Sequence, residues 1–285
     1  MDNGEPSRTA FATAYARAYH QVADRPRILT DPLAARLLGV AAGELSESSD
    51  PTRSGTVVMD RPRRLFFAAR ARFAEDRVAA AAAAGVRQVV ILGAGLDTFA
   101  YRNPHPELRV FEVDHPATQA WKHQRLAAAG IERPGTLTFV PVDFETQELA
   151  TELESAGFQR SEPAVFVWLG VIFYLTREAA FRTLEYVAGQ APPVEVIFDY
   201  LQPPGTDEER ARAQERARRL AAAGEPWLST FTPADIDAQL RALGFTDIED
   251  RSGTEVIAGY LENDPEFQGE APQALRPSHI LRASR

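Results

Sequence analysis

Between Val89 and Thr98 the chain reads VVILGAGLDT, an apolar strand running into Gly93-Ala94-Gly95 and then opening a helix. Such a turn holds a ligand against backbone N–H groups, because glycine leaves no side chain to block close approach and the following helix terminus adds the positive end of its dipole. Nineteen residues after Gly95, the segment RVFEVD ends in Asp114, a carboxylate at a strand end that can accept both hydroxyls of a ribose. Glu112, two residues earlier on the same strand face, is the second choice. A third segment ends in Pro141-Val142-Asp143-Phe144, where an acid can hydrogen-bond an adenine amine while the aromatic stacks on its ring. Each feature also has a plainer use: the turn can simply join strand to helix, Asp114 can cap the helix beginning at Pro116, and Asp143 one beginning near Glu145. Three such tips on successive strands of one parallel sheet share its carboxyl edge, where such sheets bind ligands.

Two cofactor classes fit these parts. A dinucleotide fingerprint, Gly-x-Gly-x-x-Gly, needs its third glycine to pack helix against strand beneath a pyrophosphate, and here that position is Thr98. This disfavours an NAD(P)-dependent oxidoreductase and favours a nucleoside cofactor without a pyrophosphate, such as S-adenosyl-L-methionine. Other chemistries find less support. The chain has no cysteine, which excludes thiolate nucleophiles and cysteine-ligated metals. Histidines 20, 105, 123 and 279 are scattered without ligand spacing, and neither His-Glu-x-x-His nor Gly-x-Ser-x-Gly occurs, so no metal site and no hydrolase are expected.

The elements that must position these residues follow from the hydropathy pattern. From Gln88 onward, β-rich runs QVVILG, RVFEVD, LTFVPVD, PAVFVWLG and VEVIFDY alternate with helical patterns at Pro116 to Ala129, Glu145 to Ala156 and Thr176 to Ala188, which predicts a parallel α/β sheet. Thr206 to Ala223 and Pro233 to Leu243 read as further helices, FTDIED and HILRAS as two final strands. Ahead of the sheet, helices are expected at Thr9 to Ala23, Pro32 to Leu38 and Arg63 to Ala84, with the polar stretch GELSESSDPTRSGT as a mobile loop. The 285 residues, 45% hydrophobic and 25% charged, suffice for a substantial core. No apolar run approaches membrane-spanning length and no secretory signal is visible, so the cytoplasm is the default address. The formal charge of −9 argues against a nucleic-acid partner.

QVVILGAGLDTFAYR, FEVDHP, PVDF and LGVIFYLT together resemble the leucine carboxyl methyltransferase-like family of class I S-adenosylmethionine-dependent methyltransferases, more narrowly its bacterial polyketide O-methyltransferase-like branch. The resemblance runs from about Thr9 to Tyr200, with TAYARAYH and Thr30-Asp31-Pro32-Leu33-Ala34 similar to the family's cap. It implies a Rossmann-like, mostly parallel seven-stranded α/β sheet over residues 85–285 and an N-terminal helical cap and lead-in helix over 1–84; the residues of the insert at about 202–230, containing Trp227, suit either a substrate-covering wall of the pocket or a surface helical hairpin. It further implies that Gly93, Ala94 and Gly95 line the methionine portion, Asp114 takes the ribose and Asp143 with Phe144 contacts the adenine, with Asp97 and His115 also expected to bind the cofactor. Arg70, with Arg72 second, is expected to hold the cofactor carboxylate through a bidentate guanidinium pair. Carboxyl-methylating members carry a glutamate after the fourth strand where this chain has Leu169, so Trp168, Leu169 and Gly170 are expected to contact the cofactor by packing or backbone atoms.

The implied reaction moves a methyl group to a hydroxyl or carboxyl oxygen of a small molecule, leaving S-adenosyl-L-homocysteine. Such an in-line displacement depends chiefly on placing the nucleophile. A carboxylate acceptor needs no base near neutral pH, whereas a phenol or alcohol benefits from one. The candidates for orienting the acceptor are His115, which can equally start a helix, and Tyr174, Asp199 and Tyr200 at later strand ends. A cofactor-binding but catalytically silent regulator is the remaining alternative, supported by Leu169 alone. Oligomeric state cannot be read from the sequence.

Overall fold

The near-continuous apolar runs become strands buried on both faces, as expected where helices cover a parallel sheet from either side. In the computed structural model these are β1 (Gln88–Leu92), β2 (Arg109–Asp114), β3 (Leu137–Pro141), β4 (Ala164–Trp168) and β5 (Val194–Leu201), joined by β6 (Asp247–Ser252) and β7 (Ser278–Ser284). The structure describes residues 8–41, 44–45, 60–143, 146–222, 224–262, 264–268 and 271–285. The sheet order is β3-β2-β1-β4-β5-β7-β6, with only β7 antiparallel to its neighbours. Strand order reverses between β1 and β4, so the loops leaving their carboxyl ends splay to opposite faces and open a crevice there.

The helices are α1 (Arg8–Ala23), α2 (Ala34–Leu38), α3 (Arg61–Ala83), α4 (Phe99–Arg102), α5 (Pro116–Ala128), α6 (Leu149–Ser155), α7 (Arg177–Ala188), α8 (Asp207–Ala222), α9 (Pro233–Ala242) and α10 (Gly253–Ala258). Several begin where side chains satisfy the first-turn N–H groups: Thr176 caps α7, Thr232 caps α9, and Ser252 with Glu255 forms a capping box on α10. α10, only six residues long, is too short to show a helical period and was not expected. The polar stretch 43–56 lies outside the described residues apart from Glu44 and Leu45, so its expected mobility is not addressed. None of the described helices is long and apolar enough to cross a membrane.

Two apolar clusters fill the faces of the sheet. One joins α3 and α10 to Val89, Ile91, Val165, Val167 and Ile197; the other joins α6, α7 and α9 to Val90, Phe111, Phe166, Trp168 and Phe198. α3 is further registered on β5 by two ion pairs, Arg70–Asp199 at 2.5 Å and Arg77–Glu195 at 2.8 Å. Seven residues along a helix advance about 10.5 Å and four along a strand about 13 Å, so the two pairs nearly match and set the sliding position of helix on sheet.

A third cluster packs α1 and α2 against Leu96 and Leu126. This cap is pinned by His20, which is fully buried: its Nε2 accepts from the backbone N–H groups of Ile28 (3.1 Å) and Leu29 (3.3 Å), so its proton resides on Nδ1 and is donated to Asp24 Oδ2 at 2.8 Å. Arg64 from α3 grips the same carboxylate through Nε and Nη2, at 2.7 and 2.8 Å. Burial alone would raise the Asp24 carboxyl, but the hydrogen bonds from Arg64 and His20 and the Arg64 charge outweigh it and bring it down from 3.8 to about 2. A depressed folded pKa means stability that is complete above pH 3.8 and lost as pH falls towards 2. Acid titration of the melting temperature is therefore expected to show a loss over that window that is reduced in Asp24→Asn.

Candidate active site

β1 delivers the chain into the glycine turn at the sheet's centre. Gly93 has φ +65° and Gly95 φ +48°, left-handed backbone that other residues adopt only with strain. A Cβ on Gly93 would come within 2.3 Å of Val171 Cγ2, so glycine is needed there for space as well. The N–H groups of Gly93 and Ala94 both donate to the Val113 carbonyl, at 2.8 and 3.1 Å, tying the turn to β2. The Asp114 carboxylate closes it: Oδ2 accepts from Gly95 N–H at 2.5 Å and Oδ1 from His115 N–H at 2.7 Å. Burial pushes this carboxyl up and the two backbone donors work against that. Asp97 Oδ1 in turn accepts from Phe99 N–H at 2.7 Å, shaping the entry to α4.

Arg70 reaches the adjoining strand ends from α3. It is 5% exposed, bonds Asp199 through Nη1, and stands 3.0 Å from where a Cβ on Gly170 would lie. Gly170, with φ +77°, donates its N–H to the other Asp199 oxygen at 2.5 Å. Asp199 thus holds Arg70 against the end of β4 and is engaged there, away from an acceptor-orienting role.

Several expected site residues lie elsewhere, for identifiable reasons. Arg72 is two residues from Arg70, a rotation of about 200° on a helix. It is exposed, paired with Asp76 at 2.7 Å and facing the Tyr260 ring. Arg72→Ala is accordingly expected to leave S-adenosylhomocysteine affinity within about twofold of the parent by calorimetry, since exposed pairs contribute little. Glu112, 1% exposed, is turned under α5 and paired with Lys122 at 2.6 Å; burial pushes its carboxyl up to about 7 despite Lys122. Tyr200 shares a sheet face with Trp168 and Phe198, is 1% exposed, and donates its hydroxyl to Asp250, so it does not face the crevice. Trp168 is likewise buried in that core against Phe198, whereas Leu169 packs towards α3 and lines a small cavity with Ala71, Glu75 and Asp97. His115 caps α5, its Nδ1 accepting from Ala117 N–H at 3.2 Å.

Asp143 follows β3, half-buried, and its Oδ2 accepts from the Thr146 hydroxyl at 3.0 Å in the turn preceding α6. Phe144 lies outside the described residues. Tyr174, in a 3-10 turn over Ile172–Tyr174, stands where three parts of the chain meet: its hydroxyl faces Thr9 of α1 and Trp227 of the insert, and burial pushes it up. Thr9 also bonds Glu225 of the insert at 2.8 Å.

A central glycine turn closed by a strand-end aspartate, under a buried arginine, on a sheet of this order and with its one antiparallel strand, defines a class I S-adenosylmethionine-dependent methyltransferase. Comparison with known proteins narrows the class. The model of the leucine carboxyl methyltransferase family matches residues 10–188. A Bacillus subtilis (strain 168) protein, provisionally named as an S-adenosyl-L-methionine-dependent methyltransferase, is 33% identical over 92% of this chain and 94% of its own. One from Mycobacterium avium (strain 104) with the same provisional name is 34% identical over 84% and 81%. A crystal structure from Thermobifida fusca, also provisionally named a methyltransferase, superposes with a TM-score of 0.61 at 18% identity, covering all of this chain and 96% of the other, a likeness of fold. The chain belongs to the leucine carboxyl methyltransferase family, and its cofactor is S-adenosylmethionine. The residues present fit that cofactor: the N–H groups of Gly93, Ala94 and Gly95 are spent on Val113 and Asp114 rather than offered to a ligand, but the two left-handed glycines leave room for close approach at the turn, and a carboxylate and a guanidinium flank it.

Proposed function

We propose that the protein transfers the methyl group of S-adenosylmethionine to a hydroxyl or carboxyl oxygen of a small molecule of polyketide-like or other secondary-metabolite type. In this reading Arg70 takes the cofactor carboxylate, Gly93 to Gly95 and Asp97 line its methionine portion, Asp114 takes the ribose, and Asp143 with Phe144 contacts the adenine. Leu169 and Gly170 add packing at the end of β4. When bound, the cofactor supplies a methyl group on a positively charged sulfur. The protein's own contribution is placement and the exclusion of water by the cap.

Tyr174 is the observation that carries the proposal. Its hydroxyl stands where α1, the insert and the 3-10 turn after β4 meet, and a tyrosine hydroxyl can donate a hydrogen bond to an acceptor oxygen. A hydrogen-bond donor at this place suits an oxygen acceptor, and an oxygen that arrives as an anion needs no general base. The net charge of −9 and pI near 5.2 favour a small acceptor over nucleic acid. Thr98, 2% exposed with its hydroxyl bonded to Asp31, occupies the place a dinucleotide turn gives to glycine, which weighs against the nicotinamide reading.

Methyl-labelled S-adenosylmethionine with a panel of phenols, alcohols, carboxylic acids, amines and thiols tests the proposal. Label on an oxygen acceptor is the expected result. Label only on nitrogen or sulfur acceptors would overturn the oxygen assignment, and none on any acceptor would favour the silent regulator.

A further inference from the structure

The turn that follows β1 is gripped from two sides. On one side Asp114 holds Gly95 N–H. On the other stand residues of the cap, far away in sequence. The Thr98 hydroxyl donates to Asp31 Oδ2 at 2.7 Å across 67 residues and accepts from Arg102 Nε at 3.0 Å, so its single proton is committed to the cap. Asp31 is 1% exposed, and its other oxygen accepts from Leu33 and Ala34 N–H, at 3.1 and 3.0 Å, where α2 begins. Arg102 at 3.4 Å and Arg17 at 3.7 Å keep the buried carboxylate charged-paired. Arg17, on α1, also donates through Nη2 to the Leu96 carbonyl at 2.6 Å. Two turns nearer the N-terminus of α1, Ala10 lies 3.2 Å from where a Cβ on Gly95 would project. Gly95, Leu96 and Thr98 are therefore each met by the cap.

We propose that Asp31 and Arg17 are positioning residues for the cofactor: they act through Thr98 and the Leu96 carbonyl to fix the shape of the turn, which makes docking of the cap and binding of S-adenosylmethionine one linked equilibrium. The contacts are buried, where hydrogen bonds to charged groups are strong and an orphaned partner is costly. Linkage is reciprocal, so whatever factor the docked cap contributes to cofactor affinity, the cofactor returns to cap docking. The Thr98 hydroxyl also gives the departure from a third glycine a physical use: it is the handle by which the cap holds the turn.

Two measurements test this. In the unmodified protein, saturating S-adenosylhomocysteine should slow amide hydrogen exchange throughout α1 and residues 28–38, while α9, on the opposite face of the sheet, should exchange at an unchanged rate. In variants, Thr98→Val should weaken S-adenosylhomocysteine binding roughly tenfold by calorimetry, and Thr98→Ser, which keeps the hydroxyl, should bind within about twofold of the parent. A purely structural role for Thr98 would lower the melting temperature of Thr98→Val without this affinity pattern. The proposal is overturned if exchange in α1 is the same with and without S-adenosylhomocysteine, or if folded Thr98→Val binds as the parent does. Should Thr98→Val fail to fold, the exchange result on the unmodified protein decides.

Discussion

Asp114→Ala is expected to weaken S-adenosylhomocysteine binding by roughly a hundredfold, the sum of two hydrogen bonds to a charged group at about 1.5 kcal/mol or more each. This carboxylate itself organises the site, accepting from the Gly95 and His115 N–H groups at 2.5 and 2.7 Å. Alanine would both orphan the Gly95 donor and remove the acceptor offered to the ribose. Asp114→Asn, which keeps one acceptor oxygen and loses the charge, should fall between alanine and the parent. Calorimetry with circular dichroism as the check on folding measures both, and affinity unchanged in a folded Asp114→Ala would remove Asp114 from the cofactor site.

The second large effect is at Arg70. Its partner Asp199 has a side chain 4% exposed and sits on a fully buried strand, so Arg70→Met leaves a buried carboxylate that, among the described residues, keeps only the Gly170 N–H as a partner. Breaking a buried pair from one side typically costs about 3–5 kcal/mol, whereas replacing both members with apolar residues is often near neutral. Arg70→Met should therefore unfold at markedly lower urea concentration, and Arg70→Met with Asp199→Leu should recover most of the loss. Recovery of stability separates the two roles of the arginine. If the double variant folds and fails to bind S-adenosylhomocysteine, Arg70 holds the cofactor; if it binds like the parent, Arg70 serves only to fasten α3 to β5.

Much of this site was legible because its parts are local. A strand, a glycine turn and a strand-end acid lie within the 26 residues from Val89 to Asp114, and their pattern is set by backbone geometry that only certain residues adopt. The five parallel strands β1 to β5 were legible for a similar reason, as short apolar runs between polar helical segments, whereas β6, reading DIEDRS at the sheet edge, carries little of that signal. What failed to show was parity. β5 reads VEVIFDYL and is buried along its whole length, so the sequence gives no sign that Asp199 turns towards α3 while Tyr200 turns to the opposite core and Asp250. The same ambiguity on β4 hides that Trp168 and Leu169 part to opposite faces. Arg70 and Arg72 are separable only once the side of α3 that meets the sheet is known. His115 shows the reverse case, where a helix-start position supplied a full explanation for a residue that also suited chemistry. The hold of Asp31 on Thr98 lay beyond reach, since a hydrogen bond spanning 67 residues depends on how the cap docks.

Titration calorimetry of the purified, folded protein with S-adenosylhomocysteine, and with NADH as the competing class, tests the central claim most directly. Micromolar binding of S-adenosylhomocysteine at the turn between Gly93 and Asp114, and none of NADH, is the expected result. Absence of S-adenosylhomocysteine binding, or binding of NADH in its place, would contradict it.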